Sequence, residues 1–144
     1  MIIDTHLHIV DQSALSYPWL AGAGALNRDA LYEEYAREAR RLGISAALHM
    51  EVDVAESDIE PETDYVDGVA ARAGSLLVGA IAACRPENAD FPAYLERLRQ
   101  RKIVKGFRRV LHVMPDDLSQ SPLFRDNIKR LAGTGLTFDI VCKP

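Results

Sequence analysis

Short apolar runs alternate along this chain with stretches whose apolar residues recur every three or four positions, and that alternation predicts five strands and four helices. The first run, Ile2 to Val10 (IIDTHLHIV), reads as a buried strand. Its two-residue period turns Asp4, His6 and His8 to one face. Asp11 to Asn27 has no clear period and reads as a long loop carrying Tyr17, Pro18 and Trp19. Asn27 or Asp29 then caps a helix over about Ala30 to Leu42, with Leu31, Tyr35, Ala39 and Leu42 as its apolar stripe and Gly43 as its stop. Ile44 to Val52 is a second buried strand with His49 and Glu51 on one face near its end. A helix over Glu62 to Ala73 follows, stopped by Gly74. Leu76 to Ala83 is a continuous apolar run of strand length, suited to a strand covered on both faces. Asp90 with Pro92 opens the third helix, which carries Tyr94, Leu95 and Leu98. Ile103 to Val110 is the fourth strand, and Ser121-Pro122 opens the fourth helix, closed by Gly133. Leu136 to Cys142 is the fifth strand.

Strict β-α alternation calls for a parallel sheet with right-handed crossovers, in a single α/β domain over residues 1–144. An open doubly wound sheet and a (β/α)8 barrel both answer to that order. No GxGxxG or GxxxxGK[ST] follows any strand, which removes the main sequence support for a nucleotide-binding open sheet. Polar residues gather instead at strand ends: His6 and His8, His49 and Glu51, Arg85, Arg108 and His112, and Lys143. Barrel enzymes place their chemistry there.

Composition narrows the picture without redirecting it. With 48% hydrophobic residues over 144 positions, the chain can bury a core of normal size. A net charge of −4 and a pI of about 5.5 describe an ordinary soluble protein. No Lys/Arg run suggests a nucleic acid partner. The strand beginning at residue 2 leaves no room for a signal peptide, and no apolar stretch approaches the roughly 18 residues of a membrane helix. A cytoplasmic protein acting on a small molecule is expected. Cys84 and Cys142 lie far apart without a CxxC spacing and read as reduced thiols in or near the core.

An HxH pair on a strand gives a divalent cation two neutral imidazole ligands, because residues i and i+2 reach one point. The stretch IIDTHLHIVD, with HxH on the first strand of a β/α series, resembles the amidohydrolase superfamily. VGAIAACRPEN, VKGFRRVLH and GLTFDIVCKP are similar to successive strands of its amidohydrolase-2 group, TIM-barrel hydrolases that include sugar-lactone and pyrone-dicarboxylate lactonases.

The resemblance implies a partial (β/α)8 barrel and a hydrolase in which water attacks a lactone or related bond of a small anionic or sugar-derived substrate. It makes His6 and His8 catalytic residues that either hold a divalent metal, Zn or Mn, or polarise the substrate directly. It makes Arg85 and Arg108 substrate-binding groups, for which a bidentate guanidinium suits a carboxylate. His49 and Glu51 stand where family members place pocket residues. Lys105 and Arg109, on the other strand face from Arg108, are expected to meet helices or solvent, and His112 to be solvated. Tyr17 and Trp19 either line the pocket mouth or pack the loop.

The same resemblance implies further strands bearing a late histidine and a terminal aspartate, the general base. Those would follow Pro144, so the chain is expected to be an N-terminal portion of such a barrel. Two other readings stand beside hydrolysis: decarboxylation of an unsaturated or aromatic acid, and a non-catalytic truncated barrel that self-associates. If stable at this length, the chain is expected to be a homo-oligomer, because open sheet edges and an exposed apolar face favour association.

Overall fold

The computed structural model describes residues 1–142. Its strands are β1 (Ile2–Leu7), β2 (Ile44–Met50), β3 (Leu77–Ala83), β4 (Val104–Val110) and β5 (Thr137–Val141). Its helices are α1 (Tyr32–Arg41), α2 (Ile59–Ala70), α3 (Phe91–Leu98) and α4 (Pro122–Lys129). The strands form one sheet in the order β1-β2-β3-β4-β5. Sequential parallel strands joined by helices are the arrangement of consecutive units of a (β/α)8 barrel, so the fold is α/β, as the sequence pattern predicts, and a partial barrel, as the family resemblance implies. The chain divides into two compact units, Met1–Ala80 and the residues from Ile81 onward. Lys143, one of the expected strand-end cations, lies outside the described residues. No helix among the described residues is long and apolar enough to cross a membrane.

In the first unit, β1 is more exposed than a buried strand should be: Ile2 and Ile3 are 54% and 45% exposed. It stands at the end of the strand order and, among the described residues, pairs with β2 alone. Three steps along β1 from Asp4 to Leu7 match two along β2 from Ala47 to His49. That extra residue is a bulge and resets the side-chain alternation. Asp4 accepts a hydrogen bond from Tyr35 of α1 at 2.8 Å and from the His6 amide at 3.0 Å. Beyond the bulge, buried Leu7 and Ile9 alternate with exposed His6 and His8. The expected single face of Asp4, His6 and His8 is therefore replaced by a committed Asp4 and a separate histidine pair.

Helix α1 starts at Tyr32, later than the apolar period suggests, because Ala30 has another use. It exchanges two backbone hydrogen bonds with Val10, at 3.0 and 2.9 Å. Neither Asn27 nor Asp29 caps the helix: Leu31 stands at that position, and Asp29 accepts from the Gln12 amide at 2.9 Å. The buried stripe is Tyr32, Ala36 and Ala39, and Leu42 is left 72% exposed. Helix α2 begins three residues before the expected Glu62. Pro61 falls in its first turn, where the missing N–H breaks no helical bond. Gly43 and Gly74 end these helices at φ of +77° and +74°, a conformation costly for any residue with a Cβ.

Strands β3 and β4 are buried along nearly their whole length, apart from Val78 and Lys105. Phe107 on β4 packs edge-on to Phe91, with ring centroids 6.4 Å apart, and lies 5.9 Å from Tyr94. Such pairs contribute about 0.5–1.5 kcal/mol each beyond their buried area. Ser121 caps α4, its hydroxyl accepting from the Phe124 amide at 3.2 Å, with Pro122 in the first turn.

Candidate functional site

The chemistry of the first unit begins where β1 stops. Past Leu7, the His8 side chain replaces the strand ladder, and its Nδ1 lies 2.9 Å from the Met50 carbonyl oxygen. A carbonyl only accepts, so His8 Nδ1 carries the proton, and in the neutral ring Nε2 carries a lone pair. That lone pair meets His6: the two Nε2 atoms are 3.2 Å apart, with the rings edge to face at 4.9 Å. With both rings neutral, His6 Nε2–H donates to His8 Nε2.

The same spacing suits a shared metal. Two nitrogens each about 2.05 Å from one ion and 3.2 Å apart subtend about 100° at it, close to a tetrahedral angle. A ligating histidine whose other nitrogen is held by a backbone carbonyl is the usual supporting arrangement. Among the described residues no group of three or more His, Cys, Asp or Glu side chains is placed to hold a metal, so the pair offers two ligands.

The end of β2 is pinned by side chains from three directions. After His8 takes the Met50 carbonyl, the Val52 amide donates to Glu62 Oε1 of α2 at 2.9 Å. The Val52 carbonyl accepts from Trp19 Nε1 at 2.8 Å, and the Asp53 amide donates to Glu51 Oε2 at 2.8 Å. Asp53 then turns the chain at φ +49°, which ends β2 at Met50 and not at Val52. His49 and Glu51 are both buried, 2% and 1% exposed. Glu51 thus braces the turn as well as standing at the strand end.

The long loop is itself tied down. Tyr17 is 8% exposed, and its hydroxyl accepts from the Asp11 amide at 3.2 Å. Burial pushes its phenol up to about 12. Tyr65 donates to Asp11 at 3.1 Å, and its phenol is also pushed up to about 12, by burial first and by that carboxylate second. The Ser13 hydroxyl, at 2.6 Å, is the main cause holding the Asp11 carboxyl below the usual range. Tyr17 is therefore loop packing, whereas Trp19 remains 41% exposed.

In the second unit, Arg108 on β4 is 9% exposed, and Arg85 follows β3, half-buried, with Nη1 donating to the Cys84 carbonyl at 3.0 Å. Arg109 was expected to meet a helix or solvent. It is instead buried, ion-paired with Glu87 in the loop after β3. Asn127 of α4, 1% exposed, donates to the carbonyls of Pro86 and Asn88 at 2.9 and 3.1 Å. The Arg85 loop is thus held by an ion pair and a buried amide. Lys105 reaches solvent and the Lys102 carbonyl, and His112 is exposed. Cys84 is buried, but Cys142 is exposed and so lies outside the core.

Sequence reading missed Glu62, Asn127 and Glu87. Each sits in a helix or loop whose local pattern shows only a polar residue, and its partner is distant in sequence or is a backbone group.

Comparison with known proteins bears on what these residues serve. The chain is similar to the uncharacterized protein y4mH of Sinorhizobium fredii, 26% identical over 159 residues, covering 96% of this chain and 52% of that protein. Among solved structures it resembles amidohydrolase 2 from Bifidobacterium longum subsp. infantis, with 24% identity and a TM-score of 0.69, over 99% of this chain and 51% of that one. A Burkholderia multivorans amidohydrolase with bound zinc is 19% identical, TM-score 0.78, over 99% and 49%. A probable 2-pyrone-4,6-dicarboxylic acid hydrolase from Acinetobacter baumannii with citric acid bound is 12% identical, TM-score 0.70, over 96% and 48%. At these identities the structural likeness shows the fold alone. The chain spans about half the length of the relatives it matches. The amidohydrolase family profile, in contrast, aligns with residues 3–143, nearly every position from the first strand onward, and on that match the chain belongs to the amidohydrolase family.

Proposed function

We propose that this chain supplies the histidine wall of a hydrolase site that opens a lactone or related C–O bond in a small cyclic substrate. The observation that carries this reading is the 3.2 Å approach of the His6 and His8 Nε2 atoms with His8 Nδ1 held on the Met50 carbonyl. Family membership and the hydrolase among its structural neighbours support the reaction class.

Both imidazoles fit a divalent ion such as zinc or manganese. When bound, that ion would polarise a carbonyl and lower the pKa of water. The chain's own part is positional. His8 is already in the ligating tautomer, whereas His6 must move its proton from Nε2 to Nδ1 before both lone pairs converge. Arg85 and Arg108, with their planar donor forks, are proposed to bind substrate carboxylate. His49 and Glu51, at the end of β2, are proposed as further substrate-binding residues.

The test is made on the gene product at its natural length. Zinc and manganese binding are measured by calorimetry, and hydrolysis of D-galactono-1,4-lactone by acid release, for the parent protein and for His6→Ala and His8→Ala. Loss of metal binding and of turnover in both variants is expected. Equal metal content in parent and variants, or unchanged hydrolysis, would remove the assignment.

A further inference from the structure

We propose that the indole face of Trp19 is the wall on which the substrate's ring stacks, so that Trp19 selects flat cyclic substrates over open-chain ones. The inference rests on the hydrolase reading above and adds to it the class of molecule the site prefers.

Placement is the first ground. His8 Nδ1 and Trp19 Nε1 hold the carbonyls of Met50 and Val52, which are two residues apart at the end of β2. Two residues of chain reach at most about 7 Å, so the indole is anchored beside the strand end that anchors the histidine pair.

The second ground is that Trp19's exposure is built and not incidental. Its neighbours in the short helical turn Pro18–Gly22 point inward, Leu20 being 2% exposed, and Tyr17 just before it 8%. The preceding residue, Ser16, is fixed at both backbone groups: its amide donates to Asp58 at 2.7 Å, and its carbonyl accepts from the Ala55 amide at 2.8 Å. A large apolar ring left 41% exposed on a segment tied at so many points is pre-set before any ligand arrives.

Third, the polar handle is spent. The only N–H of the ring is donated to Val52, so what Trp19 offers a ligand is its face. A face recognises other flat rings by stacking and recognises an open chain poorly.

Emission is read as the difference between the parent protein and its Trp19→Phe variant, so that it reports this position. The natural-length protein is titrated with isophthalate, a flat dicarboxylate that cannot be hydrolysed, and with glutarate, which has equal charge and no ring. Isophthalate is expected to quench the emission, and glutarate to leave it unchanged. By calorimetry, Trp19→Leu should weaken isophthalate about tenfold and glutarate less than about twofold, whereas Trp19→Phe, which lacks the N–H but keeps a face, should retain most of the preference. A latch serving structure alone would make Phe and Leu equally poor for both ligands. That outcome, equal quenching by the two acids, or no response to isophthalate at millimolar concentration would overturn the proposal. Lactone hydrolysis measured beside it separates the two readings: turnover without ring preference sinks Trp19 alone, and ring preference without turnover sinks the hydrolase.

Discussion

Glu62 of α2 takes the backbone N–H of Val52 at 2.9 Å, although the two residues are only 3% and 5% exposed. A buried carboxylate thus completes the end of β2 where no strand partner remains. Glu62→Ala leaves that amide buried without an acceptor, at a cost of about 1–3 kcal/mol. Glu62→Gln keeps an oxygen in place and is expected to cost less than half as much. Urea unfolding followed by circular dichroism measures both, and a Gln variant as weak as Ala would show that the charge, and not the acceptor, matters.

The ease of reading β3 and β4 against the difficulty of β1 has a physical cause. Strands covered on both faces are apolar nearly throughout, as LVGAIAA is, and VKGFRRV keeps Val104, Phe107 and Val110 apolar while burying Arg108 and Arg109. The ends of β1 and β2 are set by His8, Trp19 and Glu62 acting on backbone groups 33 or more residues away for the first two and on the other side of a turn for the third. No local period encodes such bonds. The HxH spacing was legible because the chemistry demands two imidazoles at i and i+2, yet the bulge that separates them from Asp4 was not. Tertiary use of Ala30 likewise overrode the apolar period at the start of α1.

Arg109 and Glu87 form an ion pair whose side chains are only 5% and 16% exposed. Removing one partner strands the other charge, and losses of about 3–5 kcal/mol follow when a buried pair is broken that way. Glu87→Gln and Arg109→Met are each expected to fall in that range. The double variant should lose clearly less than their sum, because it buries no lone charge. Additive losses in a double-mutant cycle would show that the two side chains are not coupled.

Tyr17 and Tyr65 carry phenols pushed up to about 12 from an unfolded value of 10.0, both chiefly by burial. Between those values the folded chain holds protons that the unfolded chain has released. Their contribution to stability is therefore complete below pH 10 and is lost as pH rises toward 12. Phenolate absorbance in an alkaline titration should show these two tyrosines ionising late, together with unfolding. Tyr65→Phe removes one late phenol and should flatten the loss of stability over that interval. A titration in which every tyrosine ionises near pH 10 while the chain stays folded would contradict the packing of both rings.

Gly106 begins the pairing of β4 with β5, opposite Thr137. A Cβ at Gly106 would stand 2.1 Å from Thr137 Oγ1 and 2.8 Å from the Thr137 carbonyl oxygen. The hydroxyl can rotate away, but the carbonyl belongs to the backbone and must carry β5 with it. Gly106→Ala is thus expected to cost about 1–3 kcal/mol, the usual range for overpacking. Thr137→Ala in the same chain should recover only part, since the backbone contact stays. The damage should also be local: amide exchange at 137–141 is expected to speed up while exchange at 44–50 holds. Full rescue by Thr137→Ala would place the conflict in the side chain alone, and unchanged exchange in β5 would mean that the strand has room the geometry denies it.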